Sequence, residues 1–172
     1  MLEQVNTMFG IKPVYDLGLM KLGQGLNEVA SHALAGLDEI ISEVQPDVII
    51  SQGDTSTAMA AAMAGFHRGV KVVHLEAGLR TGDIFSPFPK EANRKIIGQV
   101  ASLHLAPTEG YLENLRIESF RSKNIVVTGN TVIDALLQAG IPPSQIRSFK
   151  RPLHLISAWW LLPLTAVKTW ML

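Results

Sequence analysis

The segment QPDVIISQGDTST, at residues 45–57, places a short apolar run between a proline and a glycine turn. A run of this length, rich in Val and Ile and bounded by turn-forming residues, is typical of a strand buried on both faces of a parallel sheet. Thr55 or Ser56 can then cap a helix of small residues that continues through Ala64. The segment therefore predicts a strand–turn–helix unit of an α/β fold.

The same alternation extends on both sides of this unit, over residues 1–138. Upstream, apolar residues between Leu26 and Val44 recur at helical spacing, and Pro46 ends that helix. The predicted strands are residues 47–52, 71–76, 103–106 and 124–128, and further helices are expected to begin near residues 90, 107–109 and 131. Strands joined by helical crossovers imply a parallel sheet with helices on both faces, so the fold class is α/β.

Composition excludes several classes of protein. The 15 Lys and Arg residues balance 15 Asp and Glu residues, which leaves no excess positive charge to attract nucleic acid or an anionic membrane. The chain has no cysteine, so disulfides, thiolate metal ligands and cysteine nucleophiles are excluded. With 172 residues, of which 47% are hydrophobic, it has the size and apolar content of about one globular domain.

The two ends of the chain carry different signals. Residues 1–10, MLEQVNTMFG, lack the positive charge and long apolar core of a secretory signal, so a cytoplasmic location is expected. Residues 153–172 form a largely apolar stretch of about the length of a membrane span. His154, Pro163 and Lys168 weaken that interpretation.

Polar residues collect where the predicted strands end. Ligands of open parallel sheets bind beyond the carboxyl ends of the strands, where loops and helix N-termini meet. Three segments fall at that edge, and each combines glycine with polar side chains: residues 53–57, 76–82 and 128–131. Glycine lets backbone N–H groups approach a ligand, and helix N-termini favour anions. The pattern indicates a phosphate-bearing substrate.

Asp54 and Glu76 end successive predicted strands. If these strands are neighbours, the two carboxylates share one site, where each changes the proton affinity of the other, as acid and base catalysis requires. The alternative is structural: Asp54 caps the next helix and Glu76 pairs with Arg80. Arg80 and Arg94 could likewise clamp a diphosphate or be solvated surface residues.

The histidines do not indicate a metal site. None of the five has metal-ligand spacing with another, so no metal is predicted. His74 lies inside the second predicted strand and faces the same side as Glu76. This makes His74 a candidate to support the site residues without itself contacting the substrate.

Four segments, taken in order, resemble the non-hydrolysing UDP-N-acetylglucosamine 2-epimerases: QPDVIISQGDTST at 45–57, VVHLEAGLRTGDIFSPFP at 72–89, EANRK at 91–95 and VVTGNTVIDALL at 126–137. The resemblance covers about residues 1–138. It implies a Rossmann-like sheet within the N-terminal half of a two-domain, GT-B-like fold, with a nucleotide sugar between the halves. The family typically forms homodimers and uses neither a metal nor a nicotinamide, so no cofactor is expected.

The resemblance also implies a reaction. Such enzymes interconvert UDP-GlcNAc and UDP-ManNAc by eliminating UDP to give 2-acetamidoglucal and adding it back after proton exchange at C2. A carboxylate must remove the C2 proton while fixed donors stabilise the leaving diphosphate. By motif position, Asp54 and Glu76 are the acid and base candidates. The residues implied on the substrate side are Arg80, Glu91, Asn93, Arg94 and Asn130.

The sequence departs from the family pattern near its most specific motifs. Family members usually carry two acids after the proline that precedes Asn-Arg, the first of them catalytic, whereas this chain has Lys90 followed by Glu91. Glu91 is the nearest substitute, but neighbouring residues of a helix point about 100° apart. The family's opening strand and Gly-Thr-Arg-Pro-Glu loop have no counterpart here, which predicts an open sheet edge prone to aggregation.

The resemblance stops near Ala139. Residues 1–138 are therefore interpreted as a partial N-terminal epimerase domain, and residues 139–172 as a tail outside the family. When read from the third base of each codon, residues 158–171 are compatible with a buried strand followed by His-Arg-Arg-Glu-Asn, which resembles the opening of the family's second domain. We expect a frameshift between about Leu137 and Trp159.

The sequence thus predicts a fragment of a UDP-GlcNAc 2-epimerase, an isomerase, that is inactive alone because its site is assembled between two domains. Three alternatives stay open: a hydrolysing epimerase that releases ManNAc and UDP, a non-catalytic protein that binds nucleotide sugar, and a small membrane-attached protein that uses residues 153–172. The expected partners are a UDP-sugar and a second copy of the chain, not nucleic acid.

Overall fold

The computed structural model describes residues 2–140 and 169–171 of the chain. These residues fall into two compact units, one formed by 13–129 with 169–171 and the other by 2–12 with 130–140. The helices are α1 (Leu2–Met8), α2 (Leu26–Val44), α3 (Ser56–His67), α4 (Lys90–Val100), α5 (Glu109–Ile117) and α6 (Thr131–Gln138). The strands are β1 (Val48–Gln52), β2 (Lys71–Leu75), β3 (Leu103–Ala106), β4 (Ile125–Val127) and β5 (Thr169–Met171).

Strands β1 to β4 form a parallel sheet in the order β4-β3-β2-β1. This arrangement confirms the α/β class and the four strands predicted from the apolar runs. Four predicted strand ends are one residue too long, at Asp47, Glu76, Asn124 and Thr128. Glu76 leaves β2 because its backbone has a left-handed φ of 65°, and Asn124 belongs to a short 3-10 turn over residues 122–124.

The helices of the larger unit begin and end where local signals place them. The Thr55 hydroxyl accepts a hydrogen bond from the Ala58 N–H at 3.0 Å and so caps α3. The Thr108 hydroxyl accepts one from the Tyr111 N–H at 3.4 Å at the start of α5. Helix α2 ends at Val44, before the predicted stop at Pro46. Each cap satisfies an N–H group that has no partner within the helix itself.

Helix α3 lies at the centre of the core because its side chains are small. It packs on Ile49 of β1, Val72 of β2 and Ile97 of α4, and Leu37 of α2 lies in the same core. Its buried residues are Ser56, Thr57, Ala58, Ala60, Ala61, Ala62, Ala64 and Gly65. Close packing of this kind fixes how neighbouring elements sit against each other. The core therefore holds the ends of β1 and β2 and the start of α4 in one frame.

The outer edge of β1 is paired with β5, which runs antiparallel to it and places Trp170 opposite Ile50. The edge of β1 that was expected to be open is thus paired over residues 49–51, and the expected tendency to aggregate stays a prediction. The remainder of the predicted tail, residues 141–168, and with it most of the apolar stretch at 153–172, lies outside the described residues. In the part of the chain that the structure describes, no helix is long and apolar enough to cross a membrane.

The loop after β2 packs tightly against α5 at Gly78. The Gly78 carbonyl accepts a hydrogen bond from Asn114 Nδ2 at 2.9 Å, and the φ of Gly78, 96°, lies in the left-handed region. A Cβ atom on Gly78 would lie 2.3 Å from the Tyr111 carbonyl oxygen. Because backbone cannot give way as a side-chain end can, only glycine fits this position.

We predict that Gly78→Ala lowers the free energy of unfolding by about 3 kcal/mol or more, since it adds a clash to the left-handed backbone penalty. The matched control is Gly82→Ala, because Gly82 has a φ of 83° and no neighbouring atom within 4 Å of a built Cβ. It carries only the backbone penalty of about 1–2 kcal/mol. Urea denaturation followed by circular dichroism measures both, and equal losses would contradict the close approach.

Candidate acid–base site

Asp54 and Glu76 lie at the carboxyl edge of the sheet, just beyond two neighbouring strands. Strands β1 and β2 are parallel partners, with Gln52 opposite Leu75. This confirms that the two strands are neighbours, and a shared acid–base site stays a prediction. Gln52 Nε2 donates a hydrogen bond to Glu76 Oε1 at 2.9 Å, so the end of one strand holds the carboxylate that follows the other.

A buried arginine joins Asp54 to helix α4. Arg94 donates from Nε to Asp54 Oδ2 at 2.9 Å, and its Nη2 lies 2.7 Å from the same oxygen. Its Nη1 donates to Glu91 Oε2 at 2.9 Å. Arg94 is 3% exposed and Glu91 is completely buried, so these charges interact with little screening by water. The guanidinium therefore links the loop after β1 to the first turn of α4.

The backbone of Asp54 is also held. Asn93 Nδ2 donates to the Asp54 carbonyl oxygen at 2.9 Å, and His74 Nε2 lies 2.8 Å from the carbonyl oxygen of Gly53. The two carbonyls that flank the Asp54 backbone thus each have a side-chain partner. The cap of α3 is Thr55, so the alternative in which Asp54 caps that helix is wrong.

The protonation of Asp54 is set by opposing influences. Burial raises the pKa of the Asp54 carboxyl above its ordinary value, while the charges of Arg94 and Lys90 act to lower it. Lys90 is half-buried, and burial lowers the pKa of its amine while Asp54 acts to raise it. A carboxyl with a raised pKa takes up a proton more readily, as a general base must.

Lys90 and Glu91 lie differently on α4 although they are adjacent in sequence. Glu91 has no exposed surface and binds Arg94 through Oε2, while its Oε1 has no hydrogen-bond partner. Lys90 keeps part of its surface accessible. Glu91 is therefore a buried partner of Arg94. A role for Glu91 as the substitute for the family's first acid is therefore not favoured by its position.

Arg80 takes a partner from a distant part of the chain. Its Nε and Nη2 donate to Glu118 Oε2 at 2.9 and 2.8 Å, and Lys95 Nζ donates to Glu118 Oε1 at 2.8 Å. The alternative that pairs Arg80 with Glu76 is wrong, because Glu76 is bound by Gln52. Nor are the arginines solvated: the side chains of Arg80 and Arg94 are only 9% and 4% exposed.

Asn130 belongs to the smaller of the two units. Its side chain is exposed, and its Oδ1 accepts a hydrogen bond from the Val132 N–H at 3.0 Å, which caps α6. The structure thus gives Asn130 a local role, and a substrate contact stays a prediction. Within the described ranges, no group of three His, Asp or Glu side chains could hold a metal ion.

Two buried histidines lie on neighbouring strands of the sheet beside the site. His74 was singled out from the sequence, but His104 was not. His74 and His104 are register partners on β2 and β3, and each is 1% exposed. The His104 ring packs on Phe120 at a centroid distance of 4.8 Å. Burial lowers the pKa of both imidazoles from 6.5 to about 4. Alternation along β3 could have placed His104 on the same face as Ala106, but not against Phe120.

We predict that Arg94→Met lowers the free energy of unfolding by about 3–5 kcal/mol, because it removes the guanidinium that binds the buried carboxylates of Asp54 and Glu91. The matched control is Arg68→Met. Arg68 pairs with Asp38 at 2.5 Å, but the two side chains are 40% and 45% exposed, so its loss changes stability little. Urea denaturation at pH 7 measures both, and similar effects of the two variants would contradict the buried network.

Acid should destabilise the sheet through the two buried histidines. Their folded pKa values of about 4 lie below the ordinary 6.5, so their stabilising effect is complete above pH 6.5 and is lost as the pH falls towards 4. The loss is about 3 kcal/mol from His74 alone. His104→Gln should flatten the slope of unfolding free energy against pH in this window, whereas His32→Gln, at an exposed site, should leave it unchanged. An unchanged slope in His104→Gln would refute this.

The parallel sheet, with carboxylates just beyond two neighbouring strands, defines an α/β domain of the type that binds ligands at the carboxyl edge of such a sheet. A family model for UDP-N-acetylglucosamine 2-epimerase matches residues 1–153. UDP-N-acetylglucosamine 2-epimerases from Salmonella typhimurium and Escherichia coli are each 50% identical to this chain over 137 residues, which are 80% of this chain and 36% of theirs.

A solved structure agrees with the family match. The crystal structure of UDP-GlcNAc 2-epimerase from Neisseria meningitidis bound to UDP-GlcNAc has a TM-score of 0.77 at 38% identity, and the match covers 94% of this chain and 43% of that one. The chain belongs to the UDP-N-acetylglucosamine 2-epimerase family, a family of isomerases. It spans about a third of the length of the curated relatives it matches.

Proposed function

We propose that this chain carries acid–base residues of a UDP-GlcNAc 2-epimerase, in a partial domain over residues 1–138. The proposal rests on the Asp54 carboxyl, which is buried at the carboxyl edge of the sheet in a chain half identical to such epimerases. The nucleotide sugar is the proposed substrate because the similar Neisseria meningitidis enzyme is bound to UDP-GlcNAc. The tail at 139–172 is proposed to be an out-of-frame translation.

The proposed chemistry needs two proton-transfer groups. One carboxylate removes the C2 proton while the electron pair of the C–H bond forms a C1=C2 double bond and the C1–O bond breaks, with its electron pair leaving on UDP. Re-addition reverses these steps, and the proton then reaches C2 from the other face. Asp54 and Glu76 are the proposed acid and base, because they follow neighbouring strands and are held there by side chains.

The remaining candidate residues are proposed either to position Asp54 or to act on the substrate. Arg94 and Glu91 bind each other in the interior, and Asn93 binds the Asp54 backbone, so we propose that all three position Asp54. Arg80 is proposed to act from the neighbouring loop, held by Glu118. Asn130 is the proposed contact from the start of α6, since it is exposed.

A second candidate function follows from Lys90. Its positive charge acts on Asp54 and lowers the pKa of that carboxyl, which opposes the effect of burial and weakens Asp54 as a base. The family's usual acid at this place would act in the opposite direction. A chain with Lys90 is therefore also suited to bind a nucleotide sugar without converting it.

The homodimer and the cytoplasmic location are proposals of the same rank. The family match supports both. The even balance of 15 basic and 15 acidic residues supports a partner other than nucleic acid.

A chimera tests the function. Residues 1–137 replace the matching segment of the Salmonella typhimurium relative, and Lys90→Glu restores the family's usual acid. We expect this chimera to form UDP-ManNAc and to exchange the C2 proton for deuterium. Asp54→Asn should then lower kcat by about 10²–10⁴-fold, the usual contribution of a general acid or base, with KM little changed. Proton NMR in D₂O measures both product and exchange.

The control and the unmodified chains complete the test. Asp38→Asn, at the exposed pair with Arg68, should leave turnover unchanged. Full activity of the Asp54→Asn chimera would overturn the proposed function. In the chimera that keeps Lys90, UDP-GlcNAc binding detected by calorimetry without turnover would support the second candidate function. The 172-residue chain alone should give no UDP-ManNAc, and release of free ManNAc would identify the hydrolysing alternative.

A further inference from the structure

The direction of the Asp54 side chain depends on the conformation of Gly53. Gly53 continues the ladder through its N–H, which donates to the Leu75 carbonyl at 3.0 Å, and its φ of 78° then turns the chain out of β1. This left-handed turn aims its carbonyl at β2 and not along the strand. The partner it finds there is His74 Nε2, at 2.8 Å.

This contact assigns the proton on the imidazole. A carbonyl oxygen carries no proton and can only accept, so Nε2 must be the protonated, donating nitrogen of His74. Its Nδ1 is buried without a partner and therefore serves as the unprotonated nitrogen of a neutral ring. The hydrogen bond of the buried His74 side chain is thus made to Gly53, the residue directly before Asp54.

We propose that His74 is a positioning residue for Asp54: through Nε2–H it fixes the Gly53 carbonyl, and with it the direction in which the Asp54 carboxylate meets Arg94. The two peptide groups that flank Asp54 are then held from opposite elements, by His74 on β2 and by Asn93 on α4. Arg94 Nε and Nη2 bind the Asp54 carboxylate itself, and Thr55 Oγ1 caps α3 directly after Asp54. Its importance for catalysis rests on the proposed function, but its effect on Asp54 does not.

The neighbouring strand supplies a matched control. His104 is the register partner of His74 on β3, has the same 1% exposure, and also leaves its Nδ1 without a partner. Its ring packs on Phe120 at a centroid distance of 4.8 Å, on the side of β3. Replacement of either ring perturbs a buried histidine of the sheet, but only His74 contacts the residue before Asp54.

The test is an NMR titration of the Asp54 side-chain carboxyl carbon in the full 172-residue chain, assigned with Asp54→Asn. Gln places its amide nitrogen near the position of histidine Nε2, whereas Asn is one methylene shorter. We expect His74→Gln to titrate as the unsubstituted chain does. His74→Asn should shift the pKa of Asp54 down by about half a unit or more, because release from burial removes the main cause of the raised value.

The controls separate positioning from general destabilisation. His74→Phe should shift the titration as His74→Asn does, and His104→Phe should destabilise the chain without moving it. The inference is overturned if His74→Asn leaves the Asp54 titration unchanged, or if His104→Phe shifts it equally. The Gln and Asn pair decides the question even if the Phe variant does not fold.

A kinetic measurement keeps this inference distinct from the proposed function. In the active chimera, His74→Asn should lower kcat about tenfold with KM unchanged, since it misdirects a proton-transfer group without removing it. If the titration moves while kcat does not, the positioning role stands and the catalytic role of Asp54 fails. If neither moves, the positioning role fails while the function of Asp54 is still decided by Asp54→Asn.

Discussion

The guanidinium of Arg94 lies between two carboxylates, one from the loop after β1 and one from its own helix. Asp54 and Glu91 are both buried, and buried carboxylates are tolerated only when a counter-charge and hydrogen bonds replace the water they lose. The arginine therefore requires α4 to dock at the carboxyl edge of the sheet. Removal of Arg94 would leave both carboxylates buried without the guanidinium that binds them.

This requirement explains why α3 is built from small residues. Because α3 leads directly from the Asp54 loop and packs against α4, bulky side chains on its buried face would move α4 away and lengthen the contacts of Arg94. The alanines thus serve the site as well as the core. The same packing brings Asn93 within 2.9 Å of the Asp54 carbonyl, so backbone and side chain are held by one helix turn.

Lys90 contributes to the charge around Asp54 from the start of α4. It begins the helix that supplies the supporting residues, and its charge acts on Asp54 directly. The supporting framework of Asp54, Asn93 and Arg94 is complete while the residue expected to be acidic has the opposite charge. The positioned carboxylate of Asp54 therefore lies in a field to which Lys90 adds a positive charge.

Local chemistry was enough to predict strands β1 to β4, helices α2 to α6 and the candidate carboxylates, but not α1 or β5. The apolar run before Gly53, the hydroxyl cap at Thr55 and the stop at Pro46 act within a few residues, so the sequence contains all their determinants. The placement of Asp54 and Glu76 at one edge followed from strand order alone. The partners of these groups did not, because Arg80 finds Glu118 and Arg94 finds Asp54 across about forty residues of chain. Long-range pairing depends on how helices pack, and packing is a property of the whole fold.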